Sequence, residues 1–137
     1  MIDLKKGIDE LYFINDRPKY KFGTFLEYYG PKGDDIQYRA NIYLAAVPEI
    51  FELLREADVS SGDNAPLVTL MKYSDTEDEL IPANPGLNGS ATELLNIGMS
   101  LFNGRQCSLD FSPSNEYGFA IMQAMKIRYN LNWVEMR

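Results

Sequence analysis

The chain has 137 residues, a net charge of −7 at pH 7, no histidine and a single cysteine. This length is typical of one domain, and a composition of 45% apolar and 24% charged residues excludes wholesale disorder and a fibrous repeat. Without histidine, Ser-His-Asp and Cys-His catalysis and histidine-ligated zinc or haem sites are excluded within this chain, and Cys107 alone cannot form an intrachain disulfide. We therefore expect one domain over residues 1–137, with no metal and no cofactor.

The first half of the chain is predicted to contain a hairpin rich in aromatic residues. Residues 1–14 fit either a helix or a short strand. Residues 19–29 and 36–45 then alternate in a manner typical of strands, and residues 30–35 between them are dense in glycine, proline and aspartate. Pro48 indicates the start of a helix that buries an apolar stripe.

The second half alternates between predicted strands and helices. Residues 67–73 fit a central strand, and residues 74–89 form a long acidic connection. Ser90 and Glu93 have the spacing of a capping box, which predicts a helix to about Asn103 that stops at Gly104. Gly98, in the middle of this helix, indicates close backbone packing. Residues 106–111 fit a strand, residues 113–128 a helix and residues 131–136 a last strand.

This order of elements predicts an α+β fold. We expect a mixed, partly antiparallel sheet of about five strands that includes the aromatic hairpin. Three helices should pack mainly on one face of that sheet.

The charge is concentrated in the middle of the chain. Residues 40–116 contain three bases and twelve acids, a net charge of −9. Such a segment repels phosphate backbones and attracts a basic protein, so we expect a basic-surfaced protein partner and no direct binding to nucleic acid. No apolar run reaches the roughly 18 residues of a membrane span, and no signal-peptide pattern is present, so we expect no membrane partner and a location in the cytoplasm.

Two groups of residues are predicted to bind that partner. The acids Asp75, Glu77, Asp78 and Glu79 would steer it, as blocks of like charge often serve as interaction segments. The second group lies on the hairpin face that the helices leave uncovered, where aromatic residues and an arginine resemble a binding hot spot; it comprises Phe25, Tyr29, Tyr43 and Arg39. A second core layer, or pairs of rings that only stabilise the hairpin, would account for the same pattern.

The leading hypothesis is therefore a non-enzymatic inhibitor, of the immunity-protein type, that neutralises a toxin or nuclease by covering it. An alternative is a small-molecule or nucleotide-sequestering protein, with an anion-binding helix start and two arginines as ligands; its residues are Asn88, Gly89, Ser90, Arg105 and Arg128. A second alternative is a carboxylate-dependent hydrolase that uses Asp110 or Glu116.

Overall fold

The computed structural model describes residue 11, residue 13 and residues 15–131. Within these residues the protein is mostly helical, with one two-stranded sheet and two short 3₁₀ segments at Gly30–Asp34 and Pro66–Leu70. The elements follow the order α1 (Asp16–Tyr29), α2 (Ile36–Ala45), α3 (Pro48–Phe51), α4 (Glu56–Ser60), β1 (Met71–Ser74), β2 (Glu79–Pro82), α5 (Gly89–Asn103) and α6 (Asn115–Arg128). The prediction of a five-stranded sheet with three helices is therefore wrong.

The predicted aromatic hairpin is a pair of helices, α1 and α2. In α1 the buried positions include Phe22, Phe25, Leu26 and Tyr29, which recur at the spacing of one helical face. Helix α1 starts at Asn15, whose side chain accepts a hydrogen bond from the Arg17 amide at 2.9 Å. The helix therefore places these rings inside the protein, where the predicted strands would have divided them between two faces.

Helix α2 is the central element of the core. It packs against α1, α5 and α6, and its residues 39–45 are all buried. Asp35 caps its start by accepting hydrogen bonds from the amides of Gln37 and Tyr38 at 2.8 and 3.2 Å. Asn41, inside the core, accepts a hydrogen bond from the Leu67 amide at 2.9 Å, which fixes the second 3₁₀ segment against the helix.

The middle of the chain contains the sheet. Residues 67–70 are part of a 3₁₀ segment, and the predicted strand begins only at Met71. Strands β1 and β2 pair antiparallel, with Met71 opposite Pro82 and Ser74 opposite Glu79. The predicted long connection thus contains half of a hairpin. The predicted strand at residues 106–111 is irregular, and the one predicted at 131–136 lies outside the described residues apart from position 131.

The two long helices of the second half are confirmed. Helix α5 is capped by Asn88, which replaces the expected Ser90, and it ends at Gly104, whose φ of 79° is the left-handed conformation that favours glycine. Helix α6 is capped by Ser114. The single helix expected after Pro48 is divided into α3 and α4. No helix in the described ranges is both long enough and apolar enough to cross a membrane.

Candidate functional site

The aromatic residues predicted as anchors do not lie on the surface. Phe25, Tyr29 and Tyr43 are 4%, 4% and 3% exposed, and the Tyr29 hydroxyl donates a hydrogen bond to the carbonyl of Asn64. Arg39 is also buried, with its guanidinium 5.7 Å from the centre of the Phe22 ring. The prediction of an exposed hot spot at these four residues is wrong, because they belong to helix faces that form the core.

The predicted acidic segment forms the tip of the β1–β2 hairpin. Asp75, Glu77, Asp78 and Glu79 are all exposed, as expected. Asp78 has a φ of 53°, and its carboxylate accepts a hydrogen bond from the hydroxyl of Tyr73 on β1. This side-chain contact ties the turn to the strand that precedes it, so the carboxylates are presented on a paired hairpin.

An exposed apolar groove lies between α6 and the irregular segment at residues 104–114. Leu109 from the segment and Phe119 and Met122 from α6 are 64%, 51% and 52% exposed. The half-buried side chains of Phe111 and Met125 line the groove between them, and the groove encloses about 540 Å³. Several large apolar side chains exposed together are unusual on a soluble protein and typically mark an interaction site. We refer to this feature as the α6 groove.

Arg105 joins α5 to the acidic hairpin. Its guanidinium donates a hydrogen bond to the Asn96 side chain of α5 at 2.6 Å and lies 4.0 Å from the Glu79 carboxylate of β2. The next residue of α5, Ile97, lines the groove. Neighbouring residues of α5 therefore contact Arg105, which pairs with the hairpin, and line the groove.

The residues of the predicted small-ligand site are not brought together. Asn88, Gly89 and Ser90 lie at the start of α5, and the Asn88 side chain is occupied by the Ala91 amide at 2.8 Å. Arg105 follows the other end of the same helix. Arg128 donates a hydrogen bond to the Leu101 carbonyl, also near that end, at 2.7 Å. The two groups lie at opposite ends of α5, which has fifteen residues and is about 22 Å long.

The two predicted catalytic carboxylates are both exposed and lie on different elements. Asp110 is exposed in the irregular segment, and Glu116 is exposed in the first turn of α6. In the described part of the chain no group of three or more histidine, cysteine, aspartate or glutamate side chains could hold a metal ion. Cys107 is partly buried against the core. Hydrolysis by Asp110 or Glu116 stays a prediction.

Sequence analysis missed the α6 groove, although one signal for it was present. The helical pattern of residues 113–128 predicts a buried stripe made of Tyr117, Ala120, Ile121, Ala124 and Met125. The first four are buried, whereas Met125 is half-buried and lines the groove. Phe119 and Met122 are the large apolar residues that fall outside this stripe, so their presence already indicated a second apolar face.

Comparison with known proteins found no family model, no curated protein and no solved structure that matches this chain.

Proposed function

We propose that the protein is a non-enzymatic binding protein that inhibits a basic-surfaced protein partner, with the α6 groove as the anchor and the acidic hairpin as the steering element. The observation that carries the proposal is the joint exposure of Leu109, Phe119 and Met122 in one groove. Aromatic and methionine side chains are enriched at protein interfaces, and methionine adapts its shape to a partner.

Charge favours a basic partner. All of the twelve acids between residues 40 and 116 are exposed except Glu93, which is half-buried. Of the three bases in that range, Arg55 lies 3.8 Å from Asp58 and Arg105 lies 4.0 Å from Glu79, so two are already beside a carboxylate. The surface around the hairpin therefore attracts cationic groups at long range.

The side chains that line the groove are uncharged. The exposed Asp110 lies in the chain between two of the lining residues, Leu109 and Phe111. A partner segment that fits would present an apolar stripe with lysine or arginine beside it. An amphipathic helix has this arrangement, and helices commonly bind in apolar grooves in this way.

A pair of synthetic peptides tests this chemistry directly. One is a helical peptide made only of leucine and lysine, and the other is its leucine–glutamate counterpart. We expect the lysine peptide to bind and the glutamate peptide to bind at least about tenfold more weakly, measured by fluorescence anisotropy. Equal affinity for the two peptides would contradict the proposed charge preference.

Variants locate the binding surface. Met122→Gln should lower the affinity for the lysine peptide about tenfold. Tyr20→Gln, at a residue of α1 that is 71% exposed, should leave this affinity unchanged. The same variants then serve in affinity capture from the native cell. The proposal expects a basic protein retained by the wild type and by Tyr20→Gln but lost with Met122→Gln. Retention that is insensitive to Met122 would overturn it.

A further inference from the structure

A cavity distinct from the α6 groove lies where the first turn of α6 meets the α2–α3 corner. It encloses about 100 Å³ of free space and opens to solvent. Glu116, Tyr117 and Ala120 of α6 line it, whereas Asn115, Gly118 and Met122 of the same helix line the groove. These two sets fall on different faces of α6, so the two sites are separate.

The walls of the cavity are aromatic and its charges are negative. The rings of Phe13 and Tyr43 have centres 5.4 Å apart, and Tyr117 provides a third ring. Among the described residues that line the cavity, Glu49 and Glu116 are the charged ones. Three rings beside two carboxylates form an environment that favours a cation, since ring faces and carboxylates both attract positive charge.

A buried polar group is among the residues that line this cavity. Tyr117 is 6% exposed, and its buried hydroxyl makes no hydrogen bond of ordinary geometry in the described structure. Burial is the main cause that raises the pKa of Tyr117, and the interaction of its hydroxyl with the Glu49 carboxylate raises that pKa further. The hydroxyl is therefore incompletely satisfied, and its oxygen can accept a hydrogen bond from a ligand.

We propose that this cavity binds a small organic ammonium ion with an apolar body. The carboxylates of Glu49 and Glu116 neutralise the ammonium group, and the Tyr117 oxygen accepts a hydrogen bond from one of its N–H groups. The rings of Phe13 and Tyr43 contact the apolar body. The free space of about 100 Å³ is smaller than the cavity of about 150 Å³ known to hold benzene, so the ring of such a ligand enters in part and the rest of the ligand occupies the open mouth.

Three probes with the same ring separate charge from shape. Benzylamine is cationic at neutral pH, benzyl alcohol is neutral and benzoate is anionic. In titrations of the whole chain followed by NMR chemical shifts, we expect benzylamine to bind about tenfold more tightly than benzyl alcohol and benzoate not to bind. Equal affinity for the three probes, or no binding of benzylamine, would overturn the proposal.

Variants then assign the ligand contacts. Glu49→Gln and Glu116→Gln should each weaken benzylamine about two- to fivefold, as expected for exposed carboxylates, without changing the affinity for benzyl alcohol. Glu52→Gln is the matched control, because Glu52 lies in the next turn and pairs with Arg17 at 3.8 Å. If Glu52→Gln weakens benzylamine binding equally, nonspecific attraction to the negative charge of the protein explains the binding, and the proposed site is wrong.

Two further variants distinguish this site from the α6 groove and from a structural defect. Met122→Gln, outside the cavity, should leave benzylamine binding unchanged. Tyr117→Phe should weaken benzylamine more than benzyl alcohol while the fold, checked by the dispersion of the NMR spectrum, is retained. If Tyr117→Phe weakens both probes equally, the hydroxyl does not contact the ammonium group and the assignment is wrong.

Discussion

Substitution of Gly98, in the middle of α5, tests how closely the core is packed around this helix. A Cβ atom at Gly98 would lie 2.3 Å from Cδ1 of Leu67 and 3.2 Å from Cδ1 of Leu44. Carbon atoms in contact are about 3.5 Å apart or more, so Leu67, which is fully buried, would have to move by about 1.2 Å. Gly98→Ala should therefore overpack the interface between α5 and the second 3₁₀ segment.

The expected loss of stability is the difference between two effects. Overpacking a core costs about 1–3 kcal/mol, and alanine recovers about 1 kcal/mol over glycine through its helix propensity. We expect Gly98→Ala to lower the free energy of unfolding by up to about 2 kcal/mol. For a chain of this size, that is a fall in Tm of up to about 8 °C. Urea unfolding followed by circular dichroism would measure it.

Gly23 provides the matched control, because it is also in the middle of a helix. A Cβ atom there meets no other atom within 4 Å. Gly23→Ala should therefore stabilise the protein by about 0.5–1 kcal/mol. The same substitution should thus raise the free energy of unfolding in α1 and lower it in α5. If Gly98→Ala also stabilises the protein, the close approach of Leu67 to α5 is wrong.

Three further variants test other contacts. Tyr117→Phe should change stability by no more than about 1 kcal/mol in the absence of ligand, because the buried hydroxyl makes no hydrogen bond of ordinary geometry; thermal unfolding measures this, and a larger loss would show that the hydroxyl is bonded to Glu49. Asn41→Leu should destabilise the protein by about 1–3 kcal/mol by leaving the Leu67 amide without its acceptor, and a neutral result in urea unfolding would contradict that bond. Burial raises the pKa of Tyr29 above its usual value of 10, so the unfolded chain loses this proton first and stability should fall as pH rises past 10. Tyr29→Phe should make that alkaline decline shallower, and an unchanged decline would contradict the burial of the hydroxyl.

The helices that could be predicted are those with one unambiguous period and clear ends. In α5, apolar residues recur at helical spacing and Gly104 supplies the stop, so the end of the helix agrees with the prediction, whereas its cap lies two residues before the predicted one. Close packing at Gly98 was expected for the same helix, and the short distance to Leu67 confirms it. In both cases a local signal specified a local result, which is the condition under which sequence patterns work best.

The failure at residues 19–45 has the opposite cause. Apolar and aromatic residues are so frequent in this region that they satisfy a period of two and a period of 3.6 at once. Tyr20 and Phe22 belong to one face of a strand, but in α1 the former is 71% exposed and the latter fully buried. The capping side chains of Asn15 and Asp35 favour helices over strands in this region. They accept hydrogen bonds from the first amides of α1 and α2, which have no partner within the helix.

Of the candidate site, the acidic hairpin could be predicted from the sequence and the α6 groove could not. Four acids within residues 75–79 indicate an exposed segment whatever the fold, and the structure places them on a hairpin tip. Exposure of Leu109, Phe119 and Met122 depends instead on which helix faces pair with each other. That pairing follows from the central position of α2, whose buried residues 39–45 take α5 and α6 as neighbours and leave the outer face of α6 uncovered.

The aromatic residues of α1 and α2 are buried in the core. The steering acids therefore lie on the hairpin and the apolar anchors on α6 and the irregular segment. We expect the acids and the anchors to affect different rate constants of binding. Neutralising the hairpin with the double variant Asp75→Asn/Glu77→Gln should lower the association rate of the lysine peptide and its dependence on salt, since long-range attraction acts before contact. Met122→Gln should instead raise the dissociation rate, since most affinity differences at an interface appear there.

Stopped-flow measurements from about 0.1 M to about 1 M salt, over which the Debye length falls from about 10 Å to about 3 Å, would resolve the two rates. The control Glu52→Gln/Asp63→Asn removes the same two charges from exposed positions outside the hairpin. If it slows association as much as the hairpin variant does, steering is a property of the total charge of the protein, and the hairpin has no special part in it.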